Sequence, residues 1–150
     1  MIHRTTPATS DLLAEWRWLL GGLPRLIAWS SAGDLFYVDD RAHVWRLDTG
    51  VGEAEVVAES TAAFEQLVSD PDMADELLLL PVVCAFEAER GPLPAGHCLG
   101  FTTLPVLGGG NGAENRYSAP ITEHAALTGD LHRQIRDLPD GTAIRVEVVP

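Results

Sequence analysis

The chain of 150 residues contains no lysine, only two cysteines and no apolar run long enough to cross a membrane. Its apolar stretch Leu77–Phe86 has about ten residues, whereas a bilayer-spanning helix requires roughly twenty. The segment Met1–Pro7 lacks the apolar core of a signal peptide, and the acidic residues Asp11 and Glu15 follow closely. These absences exclude a membrane-spanning helix and predict a cytoplasmic protein.

The two cysteines, Cys84 and Cys98, do not demand a disulfide, because a chain of this length can bury a core without one. Cys84 lies in an apolar stretch of helical character, so we predict that its thiol is buried. We expect one domain over residues 1–150. Its first part, 33–90, holds a meander and helices, and its second part, 91–150, holds a strand, a hinge, a helix and a strand.

Basic residues are few, and acidic residues outnumber them by 22 to 10 for a formal net charge of −12. Residues 1–90 hold 16 of the acids and 6 of the arginines, so most of the excess lies early in the chain. Such a field repels nucleic acid and anionic membranes and accelerates encounters with basic partners. An acidic surface that serves solubility alone remains the alternative.

Alternation of apolar and polar residues predicts an antiparallel meander in the first half of the chain. Strands are predicted over Leu35–Asp39, His43–Asp48 and Glu53–Ala58, after a short extended run at Arg25–Trp29. We expect one face of this sheet to be solvated.

Helical periodicity and capping residues predict the remaining elements of an α+β fold. Helices are expected at Asp11–Leu20, at Ala62–Val68, through Leu77–Leu80 with a kink or end at Pro81, at Val82–Arg90 and at Ile121–Asp137. The last helix carries a leucine-rich stripe that we expect to be buried: Leu127, Leu131, Ile135 and Leu138. Further extended segments are predicted at Cys98–Thr103, Asn115–Ser118 and Ala143–Val149.

Known catalytic and cofactor-binding motifs are missing. The glycine run Gly108–Gly112 has no Lys-Ser/Thr ending and fails the dinucleotide spacing, so a structural hinge is favoured. His97, Cys98, His124 and His132 have no zinc-ligand spacing, and we expect these histidines to form local hydrogen bonds or to lie at the surface. We therefore predict no metal and no cofactor.

Nucleophilic catalysis also lacks a signature, because the chain has no Gly-x-Ser-x-Gly and no cysteine beside a histidine at a helix start. A contact surface for a protein is the better hypothesis. Trp16 and Trp18 differ by about 200° around a helix, so one of them is expected to be exposed. The candidate contact residues are Trp16, Trp18, Asp39, Asp40, Glu53, Glu55 and Glu59.

Several fragments together resemble a known family. Ala32–Val38 and Val44–Asp48 resemble GAD-like domains, and Leu99–Phe101, Pro105–Gly109 and the terminal helix resemble the C-terminal domain of type VI secretion immunity proteins, which are related to the SMI1/KNR4-like (SUKH) group. The resemblance covers roughly residues 33–141. It implies a cytoplasmic immunity protein, without catalytic residues, that binds a cognate toxin, in several cases a nuclease.

We therefore expect a non-enzymatic domain that occludes a toxin with a basic surface and that binds neither nucleic acid nor membrane. Two alternatives stay open: a small hydrolase or ligand-binding domain, and a SUKH-type scaffold without a toxin partner. A deep pocket of convergent polar groups favours the enzyme, and a shallow acidic groove favours the binding protein.

Overall fold

The centre of the fold is an antiparallel sheet whose five strands follow one another in chain order. The computed structural model describes residues 1–145, so most of the predicted strand Ala143–Val149 lies outside the described residues. The strands are β1 (Ile2–Arg4), β2 (Arg25–Ser30), β3 (Leu35–Val38), β4 (Val44–Asp48) and β5 (Glu53–Ala58). The predicted meander is confirmed. The strand β1 was not predicted, because three residues are too few to show a strand period.

In the described part of the chain, five α-helices and a second, smaller sheet make up the rest of the fold. A short helix α1 (Arg17–Leu20) precedes β2, and the helices α2 (Thr61–Ser69), α3 (Pro71–Leu77) and α4 (Leu80–Arg90) follow β5. A second, two-stranded sheet of β6 (His97–Phe101) and β7 (Arg116–Pro120) then leads into α5 (Ile121–Ile135). The α+β class is confirmed.

Helices cover both faces of the five-stranded sheet. One face packs against α5 and against residues 5–24 between β1 and β2, called the N-terminal segment below. This core includes Trp16, Leu35 and Ala125. The other face packs against α2 and α3, in a core that includes Phe36 and Phe64. All four residues of β3 are buried, so the prediction of one solvated face is wrong for the middle of the sheet. Solvent reaches chiefly the edge strand β5, where three of the six residues are exposed: Glu53, Glu55 and Val56.

Side-chain caps set the helix limits after β5. The Ser60 hydroxyl accepts a bond from the Ala63 amide and begins α2, and the Asp70 carboxylate accepts from the amides of the first turn of α3. The chain breaks at Leu79, whose φ is +51°, before the proline that was expected to kink it. Pro81 instead occupies the first turn of α4, where its missing amide proton has no intrahelical partner to lose.

The first predicted helix is mostly irregular, since only a 3-10 turn at Ala14–Trp16 and the four residues of α1 have helical geometry. The prediction that the Cys84 thiol is buried is wrong. Cys84 is exposed because α4 buries Val83 and Phe86 instead. Cys98 is buried in β6, and this burial raises the pKa of its thiol to about 12.

The buried face of α5 is not the leucine stripe. The structure buries Ile121, His124, Ala125, Thr128, Gly129 and His132, whereas Leu127 is 47% exposed. The reason is a close approach between α5 and the N-terminal segment: a Cβ at Gly129 would lie 2.8 Å from the Glu15 carbonyl oxygen. The indole of Trp16 donates to the Ala125 carbonyl at 3.0 Å, which secures this contact.

The Phe64→Ala substitution tests the core between the sheet and α2. The Phe64 ring is fully buried, with its centroid 5.1 Å from that of Phe36. We expect the free energy of unfolding to fall by about 3–5 kcal/mol, because the truncation leaves a cavity. Urea denaturation measures the change, and Gln66→Ala on the exposed side of α2 is the control. An effect of Phe64→Ala no larger than that of the control contradicts this packing.

Candidate partner-binding surface

The two halves of the chain meet at Thr49, in the turn between β4 and β5. Its buried hydroxyl donates to the Gly33 carbonyl at 2.8 Å and lies 2.8 Å from the Nε2 of His124. This Nε2 is also 3.1 Å from the Gly33 carbonyl, and the Nε2 of His132 lies 2.9 Å from the Thr49 carbonyl. A carbonyl oxygen only accepts, so both rings carry their proton on Nε2. Two histidines of α5 thus hold two turns of the sheet.

Each of these rings lies against a glycine whose φ is positive. A Cβ at Gly33 (φ +100°) would lie 2.6 Å from the His124 ring, and one at Gly52 (φ +76°) would lie 2.6 Å from the His132 ring. Burial lowers the pKa of His124 to about 4, with a further lowering by the Arg116 charge. Burial also lowers the pKa of His132. Both rings are therefore neutral structural groups near pH 7.

Arg46 on β4 gathers carboxylates at the end of the sheet next to this junction. Its guanidinium lies 3.6 Å from the Asp34 carboxylate and 3.3 Å from that of Asp48, with Glu55 at 4.0 Å. Burial and, next, the Asp48 charge raise the pKa of Asp34 to about 7, against the lowering by Arg46 and by the Thr49 amide bond. The positive charge of Arg46 is therefore largely engaged within the sheet.

Arg116 on β7 is a buried structural residue that no pattern in the sequence indicates. Its buried guanidinium donates to the carbonyls of Ala32 and Leu99 at 3.1 Å each and stacks 3.6 Å from the centre of the Phe101 ring. Burial lowers its pKa to about 10. This contact ties the small sheet to the turn before β3. An arginine isolated in an acidic sequence gives no signal of such burial.

The edge strand β5 carries the clearest acidic surface. Glu53 and Glu55 are exposed, and Val56 beside them is 47% exposed. Between β5 and the helices α2 and α3 lies a shallow groove of about 260 Å³. It is lined by Arg46, Glu55, Val56, Val57, Leu67, Met73, Glu76 and Leu77. This groove combines apolar contact area with the exposed carboxylates of Glu76 and of Glu55, the second of which lies 4.0 Å from Arg46.

The other predicted contact residues divide into available and occupied groups. Asp40 and Glu59 are exposed, as Glu53 and Glu55 are. The Asp39 carboxylate instead accepts bonds from two backbone amides and from the Trp45 indole, all at 2.9 Å. The Trp45 bond is the largest cause of the lowered pKa of Asp39. Asp39 therefore holds the β3–β4 hairpin together.

The prediction that one of the two tryptophans is exposed holds only in part, because Trp18 is half-buried and packs against the same core as Trp16. Trp16 is fully buried against α5, so it offers no surface to a partner and the proposed contact role is wrong for it. Trp18 is partly exposed, its indole donates to the Gly129 carbonyl at 3.1 Å, and Arg136 lies 5.5 Å above its ring.

A larger cleft, of about 480 Å³, lies between α5 and the small sheet. Its lining is mostly apolar and includes Leu104 and Tyr117. It also includes Leu127 and Leu131 of the α5 stripe that was expected to be buried. Its buried polar side chains are already occupied, since the Thr128 hydroxyl donates to the His124 carbonyl at 2.7 Å. The cleft holds no nucleophile paired with a base among the residues that line it.

The glycine run and the histidines have structural partners. The Asn115 side chain donates to the Thr103 and Gly110 carbonyls and holds the loop that contains Gly109. His97 bonds the Ser118 hydroxyl at 3.0 Å. Within residues 1–145, no three His, Cys, Asp or Glu side chains are grouped to hold a metal ion. None of the described helices is long and apolar enough to cross a membrane.

The Asp34→Asn substitution tests the electrostatics of this junction through its pH dependence. The pKa of Asp34 is raised from 3.8 to about 7 on folding, so the native state binds the extra proton between these pH values. The free energy of unfolding of the wild-type protein therefore falls as pH rises through this window, because the buried carboxyl must ionise. The amide of the variant does not titrate, so it adds no such pH dependence. We expect the stability difference, variant minus wild type, to increase from pH 4 to pH 7. Urea denaturation across that range measures it, and a difference that is constant or falls with pH contradicts the assignment.

Comparison with known proteins identifies a family. The family model described as "T6SS immunity protein Tdi1, C-terminal" matches residues 58–132, which is half of the chain. The resemblance to type VI secretion immunity proteins is thereby confirmed. The GAD-like resemblance before residue 58 lies outside this match and stays a prediction. No curated protein matches the sequence.

Among solved structures, the fold is similar to that of Atu4351 from Agrobacterium tumefaciens, with a TM-score of 0.64 and 15% sequence identity. The likeness covers 86% of this chain and 66% of that one. At this identity it concerns the fold alone. The family match carries the assignment: the chain belongs to the family of the type VI secretion immunity protein Tdi1, C-terminal, which supports a role in immunity.

Proposed function

We propose that this protein binds a cognate toxin and neutralises it by occupying the toxin's functional surface, without catalysing a reaction. Membership of the type VI secretion immunity family is the observation that carries the proposal. The site geometry supports it in a second way, because the acidic groove is shallow and the larger cleft offers no convergent polar groups. A hydrolase would need such groups within hydrogen-bond reach of one another.

The contact surface proposed here is the exposed acidic rim of the five-stranded sheet. It comprises Asp40 at the β3–β4 hairpin, Glu53 and Glu55 on β5 and Glu59 after it, with Trp18 as a separate aromatic candidate. Exposed carboxylates of one sign attract a basic surface and accelerate its encounter. The partner that fits is therefore a toxin with a basic surface.

A nuclease is the toxin class that best fits this charge. Enzymes that act on nucleic acid present arginine and lysine side chains to the phosphate backbone. A protein with a net charge of −12 can compete for such a surface while being repelled by nucleic acid itself. The proposed mechanism is occlusion in the cytoplasm of the producing cell, with the carboxylates in the place of the phosphates.

Co-expression with the toxin encoded by the neighbouring gene tests this function. We expect the full chain to restore growth of cells that express the toxin and to co-purify with it in a stoichiometric complex. Because the attraction is between charges, the affinity should fall as salt rises from about 50 to 500 mM.

The control is the toxin in an inactivated form, which should bind equally well but leave growth unaffected. Continued cell death despite soluble expression of this protein, together with failure to co-purify, contradicts the proposed function.

A further inference from the structure

Within residues 1–145, the outer edge of β5 is an open strand edge. The sheet order in this part of the chain is β1-β2-β3-β4-β5, so β5 pairs there only with β4. Among the described residues, no backbone or side-chain group bonds the edge of β5 that faces away from β4. Unpaired amides and carbonyls in an extended strand are a template for another strand.

The charges on β5 decide which strand can pair there. Glu53 and Glu55 are exposed, and Glu59 extends the acidic run beyond the strand. A second copy of this chain would bring its own glutamates against these, and like charges on facing strands are destabilising. An extended segment that carries arginine or lysine would instead place opposite charges across the new pair.

The groove beside β5 supplies the apolar part of such a contact. Met73 on α3 is 44% exposed, and Leu67 and Val57 line the same groove. Glu76 also lines it, while Arg46 is engaged more closely by Asp34 and Asp48, at 3.6 and 3.3 Å, than by Glu55 at 4.0 Å. Side chains of an added strand alternate between its two faces, so one face can reach the apolar floor and the carboxylates at its rim.

We infer that β5 receives an extended, basic segment of the protein partner as a sixth strand of the sheet, with the α2–α3 groove taking its side chains. The inference rests on the proposed function, because it specifies how the toxin is held. It assigns specificity to Glu53 and Glu55 and backbone pairing to β5 itself.

Two measurements on the full chain test this inference with the toxin from the neighbouring gene, in inactivated form, as the probe. The first is amide hydrogen exchange by NMR, free and bound. We expect amides of β5 that face away from β4 to exchange at least about tenfold more slowly in the complex, because they donate to the new strand. The second is affinity, for which Glu53→Lys/Glu55→Lys should raise Kd at least about tenfold.

A matched variant controls for net charge. Glu89→Lys/Glu123→Lys makes the same charge change at exposed positions of α4 and α5, and its Kd should stay within about twofold of wild type. Thermal melts by circular dichroism check that both double variants fold. The charge pairing is also tested by reversing it. When the toxin's basic residues are replaced by glutamates, the Glu53→Lys/Glu55→Lys variant should bind this toxin with recovered affinity.

The outcomes separate this inference from the proposed function. A complex in which the outward amides of β5 exchange as in the free protein overturns strand addition, and so does an unchanged Kd for Glu53→Lys/Glu55→Lys; neutralisation then still stands. Protection of β5 without toxin, with a dimer on gel filtration, overturns it in favour of a second copy. Absence of any complex overturns both.

Discussion

The structure depends on one buried junction, in which the two histidines of α5 bond the turns of the five-stranded sheet at Gly33 and Thr49. The Arg116 bond to the Ala32 carbonyl and the Leu99 amide bond to the Ser31 carbonyl hold β6 and β7 to the turn before β3. For α5 itself, the other contacts with the sheet are mainly apolar, and apolar contacts are not directional. Hydrogen bonds in a dry environment are directional, and an unmade one costs free energy. The junction thus fixes where α5 lies and, through the turn after β4, where β5 begins.

This constraint decides which surfaces remain for a partner. Because α5 and the N-terminal segment cover one face of the sheet and α2 with α3 covers the other, the interior strands expose little: β3 is wholly buried, and β2 and β4 are mostly buried or half-buried. The acidic side chains of β5 and the groove beside it remain accessible. An immunity protein needs a rigid, pre-formed contact surface, since ordering a flexible one on binding would reduce affinity. The strand β5 meets that need, because α2 and α3 pack beside it and the hydrogen-bonded turn at Thr49 precedes it.

Local signals in the sequence predicted local features well. The hairpins, the helix after β5 and the extent of β5 follow from turn residues, capping chemistry and alternation within a few positions. The face of α5 could not be predicted in this way. The partners of His124 lie 75 and 91 residues earlier in the chain, so a leucine stripe looked more apolar than the face that packs. The acidic edge was predicted from charge, but the burial of Trp16 and the engagement of Asp39 required the tertiary contacts.

A double-mutant cycle between Thr49→Val and His124→Phe tests the central claim most directly. If the hydroxyl and the ring join the two halves, unfolding free energies of the single and double variants should give a coupling of about 1–2 kcal/mol. A coupling indistinguishable from zero, with both single variants destabilised independently, would contradict the account.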